Sequence, residues 1–523
     1  MVTPLALMLA ALVADAAPCE RLATLALPNT TITSAALVPA GPFTPPGRAG
    51  GPAGPAGPPG GGGGRGAAAA GPSLPEHCRV VVTLAPSPDS HIEMEVWLPA
   101  EKWNGKFQAV GNGGWAGAIS YAAMAGALTE GYATASNDTG HKGGNALFAI
   151  DHPEKLVDFA YRAVHEMTVQ SKSLIASYYG RAPRLSYWNG CSTGGRQGLM
   201  SAQRYPGDFD AILAGAPANY QTHLHAWDLA VSVPVLNDPA GAVPAEKLEL
   251  LNRAVLAACD ANDGIADGLL NDPRTCSFDP AVLQCTAGDA AGCLTAGQLA
   301  SVKRAYAAAA TSSNEAVFPG KDPGSETGWG GVLGGERAPG VSSGSFQVAY
   351  NDATWDPRTF DIDRDLPVVD QRVGAIVNAI DPDLRAFKAR GGKLLLYHGW
   401  NDTAISAGNA INYYQSVLDR MGPDQGDWVR LFMAPGMQHC GGGPGPSQVN
   451  WMGTLERWRE SGLAPARVDA AHVTNNRVDM TRPLCPYPQV AEHTGVGSTN
   501  DAANFVCKAR LLGPVVPSQI DRP

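Results

Sequence analysis

The chain has 523 residues, 44% of them hydrophobic and 16% charged, with a formal net charge of −10. That composition excludes a disordered chain and a collagen-like one, and the length allows a large domain carrying an insertion. An acidic chain repels phosphate backbones, so no nucleic-acid partner is expected.

The first element is an apolar run starting at Leu5 and followed by small residues up to Ala17. It predicts a signal peptide over 1–17, although no Lys or Arg precedes the run; a buried N-terminal helix is the other reading. No other run is apolar for the ~18 residues a membrane span needs, so no span is expected. Residues 44–72 form a Pro/Gly/Ala tract without a strict Gly-X-Y period, which reads as a flexible surface loop.

From Arg79 onward, strand-like and helix-like segments alternate. Strands are predicted over Val80–Leu84, Ile92–Leu98, Phe107–Val110, Tyr132–Ser136, Leu185–Trp188, Ala211–Ala214, Lys393–His398 and Val429–Met433. A helix is predicted over Pro153–Tyr179. The alternation argues for an α/β fold with a mostly parallel sheet. The rhythm stops between Asn219 and Gly392, a stretch rich in Gly and Pro with four cysteines. The expected division is therefore a first core part over 18–218, a lid domain over 219–392, and a second core part over 393–523.

Gly190-x-Ser192-x-Gly194 follows one predicted strand and precedes a helix-like run, Gln197–Arg204. That is the context of a nucleophile elbow, in which glycines let the chain turn sharply and leave the serine exposed. With 62 glycines in the chain the pattern alone is weak, and a second match occurs at Ser342. Ser342 lies in a Pro/Gly/Ser stretch with neither strand nor helix signal, so Ser192 is the predicted nucleophile. A serine nucleophile needs a histidine base, and that histidine a carboxylate, in the chain order serine, acid, histidine. Asp402 and His439 each follow a late strand candidate, where open α/β sheets place their sites. His398 falls inside its strand and is expected to bond locally.

The ten cysteines support export. Two lie directly beside the predicted reacting residues: Cys191 before Ser192, and Cys440 after His439. A bond between them would hold nucleophile and base together, stabilising by about 5 kcal/mol for so long a loop. The close pairs Cys259/Cys276 and Cys285/Cys293 suggest short disulfide loops. The loop Asp260–Leu269 gathers carboxylates in a way that suits Ca²⁺, though not as an EF-hand; a solvated acidic turn is the other reading.

Cys191-Ser192, Asp402 and His439-Cys440 resemble the CS-D-HC signature of the tannase and feruloyl esterase family, which also contains the mono(2-hydroxyethyl) terephthalate hydrolase. The resemblance extends to Ser136–His141, Asp208–Pro217 and Asp352–Asp356. It implies an α/β-hydrolase fold with a large inserted lid domain. It implies disulfides Cys191–Cys440, Cys19–Cys78, Cys259–Cys276, Cys285–Cys293 and Cys485–Cys507. It also implies a structural calcium ion in the lid, held by side chains of Asp260, Asp263 and Asp267 and carbonyls of Ile265 and Leu269. An oxyanion hole is expected from the backbone N–H groups of Thr193 and Gly113. The expected function is a secreted or periplasmic serine carboxylesterase acting on small aromatic acid esters of feruloyl type, with no redox cofactor. Galloyl esters and terephthalate monoesters are the alternative substrates, with Trp329, Phe346 and Trp355 as candidate acyl-pocket lining. A non-catalytic binding protein, a peptidase and a lipase are the remaining readings.

Overall fold

The structure, a computed structural model, describes residues 17–44 and 73–510. Apart from residues 17 and 44, the expected leader and the Pro/Gly tract lie outside the described residues.

Nine strands form the main sheet. They are β1 (Thr30–Val38), β2 (His77–Leu84), β3 (Ile92–Pro99), β4 (Lys106–Val110), β5 (Ala133–Asn137), β6 (Leu185–Cys191), β7 (Ala211–Gly215), β8 (Lys393–Gly399) and β9 (Val429–Ala434). The spatial order is β1-β2-β3-β5-β4-β6-β7-β8-β9. The first three strands and β5 pair antiparallel; from β5 to β9 every pairing is parallel. β5 and β7 are buried at every residue, as a parallel sheet covered on both faces requires.

Alternation along each strand sorts side chains between the two faces. Trp188, Leu394 and Leu396 point into one hydrophobic cluster, while Tyr187, Leu395 and Tyr397 point into the other. The first face is covered by α2 (Ala163–Tyr179) and α8 (Gly408–Met421), the second by α9 (Trp451–Ser461). The predicted helix over Pro153–Tyr179 forms with a π turn, Asp158–Arg162, in its middle. Gly180 ends it in the left-handed conformation, φ 68°. Around the glycine loop and elbow run α1 (Tyr121–Thr129) and α3 (Thr193–Arg204).

Between β7 and β8 the chain leaves the sheet. This excursion contains α4 (Gln221–Asn237), α5 (Ala245–Cys259), α6 (Ala296–Tyr306) and α7 (Gly340–Tyr350), packed around an apolar cluster that also takes in Trp115 and Phe159 from the first core part. A capping box, Thr295 with Gln298, starts α6. The three aromatics expected to line an acyl pocket belong to this packing instead. Trp329 meets Tyr306 edge-on at 4.8 Å, and Phe346 stacks on Trp355 at 5.2 Å. Their apolar area is spent on this shared cluster.

After α9 come two hairpins, β10 (Val468–Thr474) with β11 (Arg477–Leu484) and β12 (Gln489–His493) with β13 (Phe505–Ala509). All ten cysteines are paired, as Cys19–Cys78, Cys191–Cys440, Cys259–Cys276, Cys285–Cys293 and Cys485–Cys507. These are the pairs that the family resemblance implies. Among the described residues, no helix is long and apolar enough to cross a membrane.

Candidate active site

Ser192 stands at the junction of β6 and α3, with φ 63° and ψ −123°. A non-glycine residue there is strained, and such strain persists only where neighbours hold it. The Ser192 N–H donates to Gly215 O at 3.0 Å and so ties the turn to β7. Gly190 explains why the sequence needs glycine here: a Cβ on it would lie 2.4 Å from Gly194 O. Trp188 Nε1 donates to that same oxygen at 2.8 Å and closes the turn from below.

The glycine loop Gly111–Trp115 follows β4 and lies beside the elbow. Thr193 Oγ1 donates to Gly114 O at 2.8 Å. Asn112 and Gln197 bind each other twice, through Gln197 Oε1 to the Asn112 N–H and Gln197 Nε2 to Asn112 Oδ1, each 3.1 Å. Gly113 is exposed, with open space where a Cβ would stand. The expected oxyanion donors, Thr193 and Gly113, are thus on two segments fastened to each other. Asn112, Gln197 and the Thr193 hydroxyl do this fastening, and no sequence pattern assigned them that part.

Asp402 lies in the loop after β8, its side chain fully buried. Oδ1 accepts from the N–H groups of Ala404 and Ile405 at 2.8 and 2.9 Å. Oδ2 meets His439 Nδ1 at 2.8 Å and His398 Nε2 at 3.0 Å. Burial by itself would raise the Asp402 carboxyl, but the His439 charge and the bonds from both imidazoles outweigh it. They hold the group well below the usual carboxylate range. Burial pushes the His439 imidazole down, and the Asp402 charge and bond outweigh that push and raise it.

His439 follows β9, and Cys440 beside it bonds to Cys191 beside Ser192, with 5.9 Å between the two Cα atoms. The structure therefore brings the neighbours of all three predicted reacting residues to one end of the sheet. Ser342, the rival match, lies in α7 and donates to Asp228 Oδ2 at 2.6 Å. His398, expected to bond locally, also contacts Ile405 O at 3.1 Å. Its i,i+4 spacing from Asp402 was the signal available for its second contact.

The acidic loop is a separate feature. Asp260 accepts from the N–H groups of Asp267, Gly268 and Leu269. Asp263 Oδ1 accepts from the Ile265 N–H at 3.0 Å, and Asp267 Oδ2 accepts from Arg482 Nη2 at 2.7 Å. Burial, with the charges of Asp267 and Asp260 behind it, raises the Asp263 carboxyl. Carboxylate and carbonyl oxygens are the donor chemistry of a hard divalent cation. Among the described residues, however, no three ligating side chains converge on one point, because Asp260 is turned to backbone amides and Asp267 to Arg482.

Comparison with known proteins agrees with this geometry. The family profile described as tannase and feruloyl esterase matches residues 78–508. An uncharacterized esterase of Xanthomonas campestris pv. campestris is 37% identical, over 94% of this chain and 91% of its own. The mono(2-hydroxyethyl) terephthalate hydrolase of Piscinibacter sakaiensis is 34% identical, over 84% of this chain and 86% of its own. The crystal structure of feruloyl esterase B from Aspergillus oryzae superposes with a TM-score of 0.86 at 29% identity, covering 94% of this chain and 99% of that one. With its α/β sheet and these relatives, the chain belongs to the tannase and feruloyl esterase family of ester hydrolases.

Proposed function

We propose that this protein hydrolyses carboxylic esters of aromatic acids through an acyl-enzyme on Ser192. The observation that carries the reading is the bond of His439 Nδ1 to buried Asp402 at 2.8 Å, with His439 joined to the Ser192 turn through Cys440–Cys191. His439 Nε2 takes the Ser192 proton as Oγ attacks the ester carbonyl, and Asp402 stabilises the imidazolium. The N–H groups of Thr193 and Gly113 receive the developing oxyanion. Collapse expels the alcohol, which takes the proton back from His439. Water, activated by the same imidazole, then releases the acid.

The relatives support an aromatic acyl group, since ferulate and terephthalate both carry one. Feruloyl esters are the first choice, with galloyl esters and terephthalate monoesters behind them. Residues 219–392 act as a lid domain over Ser192. This is supported by Trp115 Nε1, which donates from the glycine loop to Val341 O on α7 at 2.8 Å. Five disulfides and the leader-like N-terminus support a secreted or periplasmic location.

Calcium bound at Asp260, Asp263 and Asp267, with the carbonyls of Ile265 and Leu269, is proposed on the loop's oxygen-rich chemistry. Its part is to rigidify the loop beside Cys259–Cys276, and Asp260 and Asp267 would have to turn from their present partners.

The test is hydrolysis of methyl ferulate, methyl gallate and a terephthalate monoester by wild type and Ser192→Ala. Activity lost in the variant is the expected result, and the preferred ester names the acyl group. A fully active Ser192→Ala protein would remove Ser192 as nucleophile.

A further inference from the structure

One lysine of the excursion is buried against an aromatic face. Lys321 is 3% exposed, and its Nζ has no hydrogen-bond acceptor within reach among the described residues. It lies 4.6 Å from the ring centre of Trp227 on α4. Burying a cation without an acceptor is costly, so this side chain is suited to donate to an oxygen of a bound molecule.

Hydrogen bonds put Lys321 beside the reacting groups. The segment 320–324 is fastened to the loop that carries Asp402. Ser406 Oγ donates to Gly320 O, and Asn401 Nδ2 donates to Gly324 O at 2.7 Å. Burial pushes the Lys321 amine down, the charges of Asp228, Asp402 and Asp322 oppose that push, and the Lys321 charge in turn acts on His439.

Asp228 follows Trp227 directly on α4, and the Lys321 charge acts on it too. Ser342 Oγ holds its Oδ2 at 2.6 Å. Burial pushes the Asp228 carboxyl up to about 6, with Lys321 and Ser342 opposing. Ser342 adjoins Val341, whose carbonyl receives Trp115 Nε1 from the glycine loop. The contacts thus run in a circuit. From the Ser192 turn they pass through the glycine loop to α7, then to Asp228 and Lys321, and return through the Asp402 loop to His439.

We propose that Lys321 and Asp228 are the specificity pair for the acyl group, reading a ring hydroxyl of an aromatic acid. Lys321 donates to the phenolic oxygen and Asp228 accepts from the phenolic O–H, while the Trp227 face holds the Lys321 ammonium in place. A hydroxyl is the group that satisfies a donor and an acceptor at once. A ring carboxylate in the same place would meet Asp228 and be disfavoured. Ser342 then has a part as the positioning residue of Asp228. This assignment rests on the aromatic-ester reading and says which aromatic acids are favoured.

The experiment compares kcat/KM for methyl 4-hydroxycinnamate and methyl cinnamate, which differ by one hydroxyl, in wild type, Lys321→Met and Asp228→Asn. Wild type is expected to favour the hydroxylated ester by about tenfold or more, because a site with buried polar groups rejects the analogue that leaves them unpaired. Each variant is expected to bring that ratio to within about threefold of one. Inhibition of wild type by free 4-hydroxycinnamate against free cinnamate reads the same preference should a variant fail to fold. Equal rates and equal inhibition in wild type, or a folded Lys321→Met protein with its ratio intact, overturn the assignment and leave the esterase reading standing. A wild type that reacts with a fluorophosphonate at Ser192 yet cleaves neither ester overturns the aromatic-ester reading and this assignment with it.

Discussion

His398 Nε2 lies 3.0 Å from Asp402 Oδ2, the same oxygen that His439 Nδ1 meets at 2.8 Å. The His398 nitrogen also faces Ile405 O, which can only accept, so Nε2 carries the proton and donates to both. Asp402 therefore receives two imidazole N–H groups and two amides, and His398 is a positioning residue for it. Replacing His398 by Leu removes one donor, leaves the carboxylate more negative, and raises the His439 pKa further. We expect kcat/KM to fall by about tenfold or more and its acidic limb to move to higher pH. His398→Gln, which restores an N–H donor, should recover part of both; a pH profile unmoved by His398→Leu would deny the coupling.

The sign for His439 itself follows from the form that works. The base must be neutral, and its pKa is raised above the usual 6.5. Activity is thus lost as pH falls through that raised value, and the acidic limb of wild type lies above 6.5. Asp402→Asn removes the charge but leaves the burial, which depresses the imidazole. The limb should move below 6.5 while kcat drops by about 10⁴. Measuring kcat/KM from pH 5 to 9 in both proteins decides it.

Cys191–Cys440 joins segments 249 residues apart. Replacing both cysteines by serine should lower stability by about 3–5 kcal/mol. It should also lower kcat, because the Ser192 turn and His439 lose their common tether. The control is Cys485→Ser with Cys507→Ser, which removes the bond tying together the two C-terminal hairpins and should shift the melting temperature alone. Equal loss of kcat in the two double variants would assign the effect to general destabilisation.

Trp115→Phe keeps the ring and deletes the N–H that reaches Val341 O. If the glycine loop is aimed by that bond, oxyanion stabilisation suffers and substrate binding does not. Kinetics should show kcat down by about five- to twentyfold with KM little changed. A rise in KM alone would instead make Trp115 part of the binding surface.

For the acidic loop, chelation should lower the melting temperature and added Ca²⁺ should restore it, with Asp263→Asn insensitive to both. An identical melting curve with and without chelator would remove the ion from this protein.

Much of this was legible from residue patterns. Runs such as Lys393–Gly399 announce buried parallel strands because both faces are covered and the stretch Leu394–Tyr397 is apolar without alternation. β1 was missed for the opposite reason. It is an edge strand in which only Ala35 is buried, so its pairing with β2 is satisfied by the backbone and leaves no apolar period to read. The predicted reacting residues stood out because each lies just after a strand. Lys321 and Asp228 did not, since their meaning depends on contacts between α4, α7 and the Asp402 loop. Trp329, Phe346 and Trp355 were misread because an aromatic ring gives the same signal in a core as in a pocket.

β7 and β8 are hydrogen-bonded neighbours, Gly215 opposite Tyr397, although the whole excursion is threaded between them. The chain departs from the sheet and rejoins it at adjacent rungs. Length and content of the detour can therefore drift without shifting strand register, as long as the segments fastened to the glycine loop and to the Asp402 loop are kept. A chimera grafted at these two points, with those fastenings carried over, is the natural unit for engineering.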